Sequence, residues 1–399
     1  MKVLVVCQHY YPEPFRLTDI CEELVRRGNE VTVVTGTPNY PMGKIYEGYK
    51  GKEKKDEVIN GVKVHRCFEI GRRKGIIFRF LNYYSFAWSS KKYIKKLKGE
   101  YDVVFANQLS PIMMSEAAMK YKKKHGTKVV LYCLDLWPES LVAGGVKQGS
   151  LLYKYYHGVS EKIYKKADKI LITSKLFKGY FDKQFGIDAS KIAYLPQYAE
   201  ELFSPEVCKK EDTNTIDLLF AGNIGTAQSV DTLIKAAEKT SDIPNLVWHI
   251  VGDGSALENC KKLAEEKKIN SVCFYGRKAL EEMPAFYKKA DAMLVSLMAD
   301  PVLSLTLPGK VQTYMAAGKP IIGAIDGETA EVISVSQCGY CSPAENVEAL
   351  AENVRAFCQD VQEGKHKAFG ENARKFYEEN FKKEKFFEDL SSYLLDEKQ

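Results

Sequence analysis

No apolar run in the 399 residues approaches about 18, so no membrane-crossing helix is expected. The basic, apolar and small-residue layout of a secretory signal is missing, and Lys2-Val3-Leu4-Val5-Val6 reads as a strand instead. Glycine and proline, at 28 and 14 residues, are too sparse for a low-complexity or fibrous chain. Ten scattered cysteines in a chain of this length, without export signals, read as reduced cytosolic thiols. Cys338 and Cys341 make a CxxC pair with no second pair, which reads as a strand end rather than a zinc or redox centre. The loop after the first strand has no glycine, so it carries no glycine-rich phosphate fingerprint.

What is present is an ordinary globular composition, 45% hydrophobic and 28% charged, with apolar residues enough for two cores. The formal net charge of +6 hides an asymmetry. Residues 1–195 hold 35 Lys/Arg against 19 Asp/Glu, and residues 196–399 hold 23 against 33. A basic half joined to an acidic half implies different partners for the two.

Short β-branched runs alternate with helix-length periodic segments. In the first half the expected strands are Val3–Cys7, Val31–Thr35, Val62–Phe68, Val103–Ala106, Val129–Cys133 and Lys169–Thr173. In the second they are Ile216–Ala221, Leu246–Val251, Val272–Tyr275, Ala292–Ser296 and Pro320–Ala324. Runs apolar on both faces and separated by helices indicate an α/β chain with two Rossmann-like, doubly wound parallel sheets. The expected division is a domain over 1–195, a linker over 196–214, a second domain over 215–375 and a terminal helical segment over 376–399. Two such domains are expected to face each other across a cleft, with ligands at the carboxyl ends of the strands.

Candidate site residues follow from those strand ends. Arg16 stands near the start of a helix beginning around Leu17, where free backbone N–H groups favour anions. Asn107 and Gln108 follow one strand, and Asp135 and Glu139 follow the next. Asp135 and Glu139 could accept a proton or hold sugar hydroxyls. In the second half, Gly222, Asn223 and Gly225 open a turn after the first strand. Asp253 in Gly252-Asp253-Gly254, and Arg277 and Lys278 after Gly276, close the next two. The segment Pro308-Gly309-Lys310 starts a short helix that ends at Gly318. Its free N–H groups, positive dipole end and ammonium together suit a diphosphate, and Thr313 lies one turn on, within reach of a ribose.

In this order the motifs resemble a glycosyltransferase of the GT-B fold, retaining family 4. They are the "HYYPEP" loop, "EELVRRGNEVTVVTG", "DLWPES", "FAGNIG", "GDG", "MAAGKPII" and "DGETAEVI". The combination of "DLWPES" with "PGKVQTYMAAGKP" is similar to bacterial transferases of capsule and O-antigen synthesis, including the N-acetyl-fucosaminyl type. The resemblance implies transfer of a sugar, of N-acetylated hexosamine type, from a UDP-sugar, with retained configuration and with neither metal nor cofactor. Asp135, Asn107 and Lys310 are then the residues closest to the chemistry, and Glu331 of "DGETAEVI" joins the donor contacts. The sequence departs from the family at Leu305 and Thr313, where two glutamates are usual. It departs again at Asn223 and Gln228, where an arginine and a lysine usually meet the diphosphate. Positive charge must then come from Lys310 and Arg277.

Residues 71–98 contain nine Lys/Arg, seven aromatics and no acid. Ile76, Ile77, Phe80, Tyr84 and Trp88 recur near helical spacing, with Phe78 among them and Arg72, Arg73 and Arg79 around them. Such a stretch favours an anionic membrane surface, at about 1 kcal/mol per basic residue near the lipid. A polyprenyl-diphosphate-linked glycan as acceptor fits both the charge and the apolar side chains. The expected location is cytoplasmic, peripheral on the inner face of the plasma membrane. Nucleic acid is not an expected partner, because the donor-site turns would then have no purpose. Two other readings compete: a GT-B module that binds nucleotide sugar or lipid without turnover, and a UDP-sugar epimerase or hydrolase.

Overall fold

The structure is a computed structural model that describes residues 1–51, 53–72, 75–143, 145–210 and 213–395. The chain divides into two compact units. One comprises residues 1–173, 177–195 and the chain end from Leu390; the other comprises residues 174–176 and 196–389.

The first unit is built on an eight-stranded sheet: β1 (Lys2–Val6), β2 (Glu30–Thr35), β3 (Asp56–Ile59), β4 (Val62–Arg66), β5 (Val103–Gln108), β6 (Lys128–Cys133), β7 (Lys169–Ile172) and β8 (Ile192–Tyr194). Their order is β3-β4-β2-β1-β5-β6-β7-β8, parallel throughout except for the β3–β4 pair. Val3, Leu4, Val5, Val104, Phe105 and Leu131 are fully buried, as a sheet covered on both faces requires. Two strands here lay outside the sequence expectation. β3 is joined to β4 by Asn60-Gly61, with φ of 46° and 84°, the left-handed pair that a two-residue hairpin needs. β8 has only three residues and no apolar alternation to reveal it.

β5 runs two residues beyond its β-branched stretch, because Asn107 pairs with Tyr132 and Gln108 with Cys133. Asn107 and Gln108, expected in a loop, are therefore buried strand residues.

The second unit carries a six-stranded, all-parallel sheet: β9 (Ile216–Ala221), β10 (Leu246–Val251), β11 (Val272–Gly276), β12 (Ala292–Ser296), β13 (Ile321–Ala324) and β14 (Gly339–Ser342). The order is β11-β10-β9-β12-β13-β14. Within the stretch read as a linker, Ala199, Phe203 and Cys208 pack into this unit's core beside Met293, Val311 and Tyr314. The segment from Lys365 onward forms two helices, His366–Asn380 and Lys383–Leu395, broken at Phe381-Lys382. Leu390 and Leu394 are buried in the first unit, where the Lys128 ammonium donates to the Tyr393 carbonyl at 2.6 Å. Cys338 is buried just before β14, and Cys341 lies within it; all ten cysteines are free. Among the described residues no helix is long and apolar enough to cross a membrane.

Candidate functional site

Because β11, β10 and β9 are neighbours, their glycine turns lie side by side. Gly222 N–H donates to Val251, Ile224 N–H to Asp253, and Gly252 N–H to Gly276, each at 2.9 Å. The approach is too close for a side chain. A Cβ on Gly252 would stand 1.7 Å from the Gly222 carbonyl oxygen, and the Gly252 φ of 147° disfavours any other residue.

Lys310 reaches into this corner from the helix Gly309–Ala316. Pro308 precedes that helix with φ −62° and ψ 134°, pre-set for its start. The Lys310 Nζ lies 3.9 Å from the centre of the Phe220 ring, and a Cβ on Gly222 would be 2.7 Å from it. The ammonium is sealed from solvent and, among the described residues, has no hydrogen-bond partner. Burial alone pushes its pKa down to about 7. A sealed ammonium beside a helix start whose first N–H groups have no intrahelical acceptor could hold an anion. The cation–π contact with Phe220 offsets only part of that cost.

The other second-unit candidates are placed as follows. Asn223 is exposed, and its amide donates to Gln228 at 2.8 Å, so Gln228 braces the turn. Arg277 and Asp253 are 3.6 Å apart and mostly solvated, and Lys278 lies 3.7 Å from Glu282. The Thr313 side chain is buried, and its hydroxyl donates to the Gly309 carbonyl at 3.2 Å. Glu331 is exposed. The carboxylate that is held in that helix is Glu328, which is buried and accepts the N–H groups of Lys175 and Leu176 at 3.0 Å each. Its cue in the sequence is its place as the first helical residue after Gly327.

In the first unit, Asp135 is half-buried just past β6. Burial raises its pKa, against the opposing pull of the Ser110 N–H and the Arg72 charge. The Gln108 amide donates to the carbonyls of Leu109 (2.7 Å) and Asp135 (2.8 Å), so it ties two loops together rather than facing a ligand. Glu139 is buried, and its Oε1 accepts the hydroxyls of Tyr153 (2.7 Å) and Tyr180 (3.1 Å). Arg16 is the residue before the helix Leu17–Arg26, makes no side-chain capping bond to it and lies half-buried.

Two clusters in this unit were not foreseen. At the end of β1, His9 Nδ1 is 3.0 Å from Glu13 Oε2, and Glu13 Oε1 accepts the N–H groups of Asn39 (2.8 Å) and Tyr40 (2.6 Å). Beside them Glu69 Oε1 accepts the amides of Gln8 (2.8 Å), Asn39 (3.0 Å) and Asn82 (2.5 Å). Burial pushes Glu69 up to about 7. The His-to-Glu spacing in "HYYPEP" was the available signal for the first cluster. The second joins residues 8, 39, 69 and 82 and has no local signature.

The basic aromatic stretch forms the helix Ile76–Lys96. Ile77 (71% exposed), Phe78, Leu81, Tyr84 and Trp88 (59%) face solvent. Phe80 instead stacks on Tyr156, and the Arg72 guanidinium lies over the Tyr83 ring at 5.9 Å. Arg79 is half-buried, and Arg73 lies outside the described residues. Leu151, Leu152 and Tyr155 on the helix Leu151–Lys166 are also exposed, and that helix is joined to the first by a 2.9 Å Tyr84–Tyr156 hydroxyl contact.

Residues 16–197 match the family described as Glycosyltransferase Family 4, and residues 206–376 match that described as Glycosyl transferases group 1. The chain is 25% identical over 380 residues to WcaI of Escherichia coli K12, a protein that carries the name of a colanic acid biosynthesis glycosyl transferase. The match covers 89% of this chain and 91% of that one. Among solved structures, sucrose-phosphate synthase from Thermosynechococcus elongatus superposes with a TM-score of 0.76 at 16% identity, covering 99% of this chain and 98% of that one. HepE of Anabaena, solved in complex with UDP, superposes with a TM-score of 0.73 at 15% identity over 100% of both chains. Two parallel-sheet units, and family matches that together span most of the sequence, lead to one conclusion: the chain belongs to the glycosyltransferases of the GT-B fold, with a family 4 domain followed by a group 1 domain.

Proposed function

We propose that this glycosyltransferase takes a sugar of N-acetylated hexosamine type from a UDP-sugar. It transfers that sugar, with retained configuration, to a polyprenyl-diphosphate-linked glycan at an anionic membrane during surface polysaccharide synthesis. The observation that carries the reading is the sealed, partnerless Lys310 ammonium over the Gly222 turn at the start of the helix Gly309–Ala316. A donor diphosphate placed there gains the ammonium and the helix N–H groups as the glycosidic bond breaks and charge grows on the leaving oxygen. In this reading those groups do the work of a divalent cation, and no metal takes part. HepE, with the same fold, is solved with UDP and with UDP-glucose, and WcaI carries a name from surface polysaccharide synthesis. The exposed apolar side chains of the helix Ile76–Lys96, with Lys92, Lys95 and Lys96 solvated beside them, support the membrane side.

Calorimetry with UDP tests the donor half. Lys310→Met should weaken UDP binding about 10–100-fold, the worth of a charge-assisted hydrogen bond; unchanged affinity removes Lys310 from the site. Flotation with phosphatidylglycerol vesicles tests the other half. The double variant Ile77→Glu, Trp88→Glu should lose most of its binding, and full retention rules this helix out as the membrane contact.

A further inference from the structure

We infer that His9 and Glu13 form an acceptor subsite in the first unit, in which His9 Nε2 takes a hydrogen bond from a hydroxyl of the sugar acceptor. The inference rests on the glycosyltransferase reading and goes beyond it by naming the group that meets the acceptor.

The argument starts from Glu13. Its carboxylate has two oxygens and only lone pairs to offer. Oε1 is occupied by the Asn39 and Tyr40 N–H groups, and Oε2 faces His9 Nδ1. A contact between a carboxylate and a ring nitrogen requires the proton on the nitrogen, so Nδ1 is the donor. When the ring carries a single proton, Glu13 holds it on Nδ1 and Nε2 is a lone pair. Among the described residues nothing hydrogen-bonds Nε2, and it is not one of the sealed polar atoms.

The ring cannot turn to satisfy itself elsewhere. His9 is 5% exposed and stacks on Phe15 at 4.9 Å and 14°, with Tyr40 at 5.6 Å on a tilt. Glu13 is 3% exposed. The other polar side chain of this turn, Gln8, is committed to Glu69 and Asn82. The pair stands at the carboxyl end of β1, the edge where doubly wound sheets present their ligands. An imidazole lone pair repels phosphate oxygens and attracts a hydroxyl proton. The chemistry therefore selects a sugar hydroxyl rather than the anionic donor that Lys310 suits. No bond is made or broken at His9: the acceptor O–H donates to Nε2 and is aimed by it.

Two measurements test this on the full-length protein. The first is nitrogen-15 NMR of the histidine rings, with the His9 signals identified by their loss in His9→Gln. Nε2 should be unprotonated in the wild type and protonated in Glu13→Gln. The glutamine oxygen would keep the two backbone N–H groups, and its amide would then donate to Nδ1. The second is transfer of label from UDP-sugars into the lipid of membranes from cells that carry the gene. His9→Ala and Glu13→Gln should lose at least about tenfold in acceptor use, with UDP affinity unchanged. His9→Gln should restore part of it, because its amide oxygen stands near the place of Nε2. A protonated Nε2 in the wild type, or full acceptor use by both His9→Ala and Glu13→Gln, overturns the subsite. A wild type that binds no UDP and labels no lipid sinks the donor reading instead, and the ring measurement still decides the tautomer.

Discussion

Lys310 in the second unit and Glu69 in the first both hold a buried ionisable group at the carboxyl edge of a parallel sheet, yet their own chain serves them unequally. Three amide groups serve one oxygen of Glu69, while among the described residues Lys310 Nζ has no hydrogen-bond partner. Both pKa values move toward the neutral form, because burial acts on each. The difference lies in what would complete them. Glu69 Oε1 is saturated by its own chain and holds together segments far apart in sequence, while Oε2 is buried and among the described residues accepts no hydrogen bond. Lys310 has no such saturated atom, and its only charged group stands beside a helix start, where an anion could complete it.

The contrast can be broken most severely at Gly252. Gly252→Ala should cost ~3 kcal/mol or more, because its Cβ would meet the Gly222 carbonyl and the backbone at 252 would be strained. A large fall in the melting temperature of the second unit together with lost UDP binding is the expected result. A protein of ordinary stability would show that the paired turns are not rigid.

A smaller effect of opposite sign is expected from Lys310→Met in the ligand-free protein. Removing a sealed, unsatisfied ammonium should stabilise it by roughly 1–3 kcal/mol. The Lys310 pKa is about 7 in the fold, below the ordinary 10.5, so the unfolded chain holds more protons between those values. Wild-type stability therefore rises with pH across that window. The advantage of the variant should be full at pH 7 and below and should fade toward pH 10. A destabilised Lys310→Met at pH 7 would mean that the lysine is a structural residue.

The smallest change is expected from Glu69→Gln. Glu69 titrates at about 7 in the fold against 4.5 ordinarily, so the folded protein holds the extra proton between those values. Its stability contribution is complete below pH 4.5 and is lost as pH rises through 7. The glutamine variant should gain about 1 kcal/mol over the wild type at pH 8 and nothing at pH 4.5. Equal gains at both pH values would show that Glu69 is not the titrating group.

Much of the fold was legible because parallel strands buried on both faces write themselves as unbroken β-branched runs. Val3–Val6 and Leu246–Val251 are examples. The strands that escaped notice, β3, β8 and β14, are three or four residues long and lie at or beside the sheet edges. Of the candidate site, Lys310 and the glycine turns were visible as local punctuation. Gln108 reads as a loop residue because a polar residue that ends a buried strand looks the same in sequence as one that follows it.

The sequence by itself determined a chain of two parallel α/β sheets, with Pro308-Gly309-Lys310 opening a short helix, and its motifs carried a resemblance to glycosyltransferases. Periodicity and turn chemistry are local properties of the chain. Only the tertiary structure decided that Lys310 is sealed without a partner, that Glu69 gathers residues 8, 39 and 82, and that Glu13 sets the His9 ring. Burial and hydrogen-bond completion depend on residues brought together from far along the chain, and no short-range pattern records them.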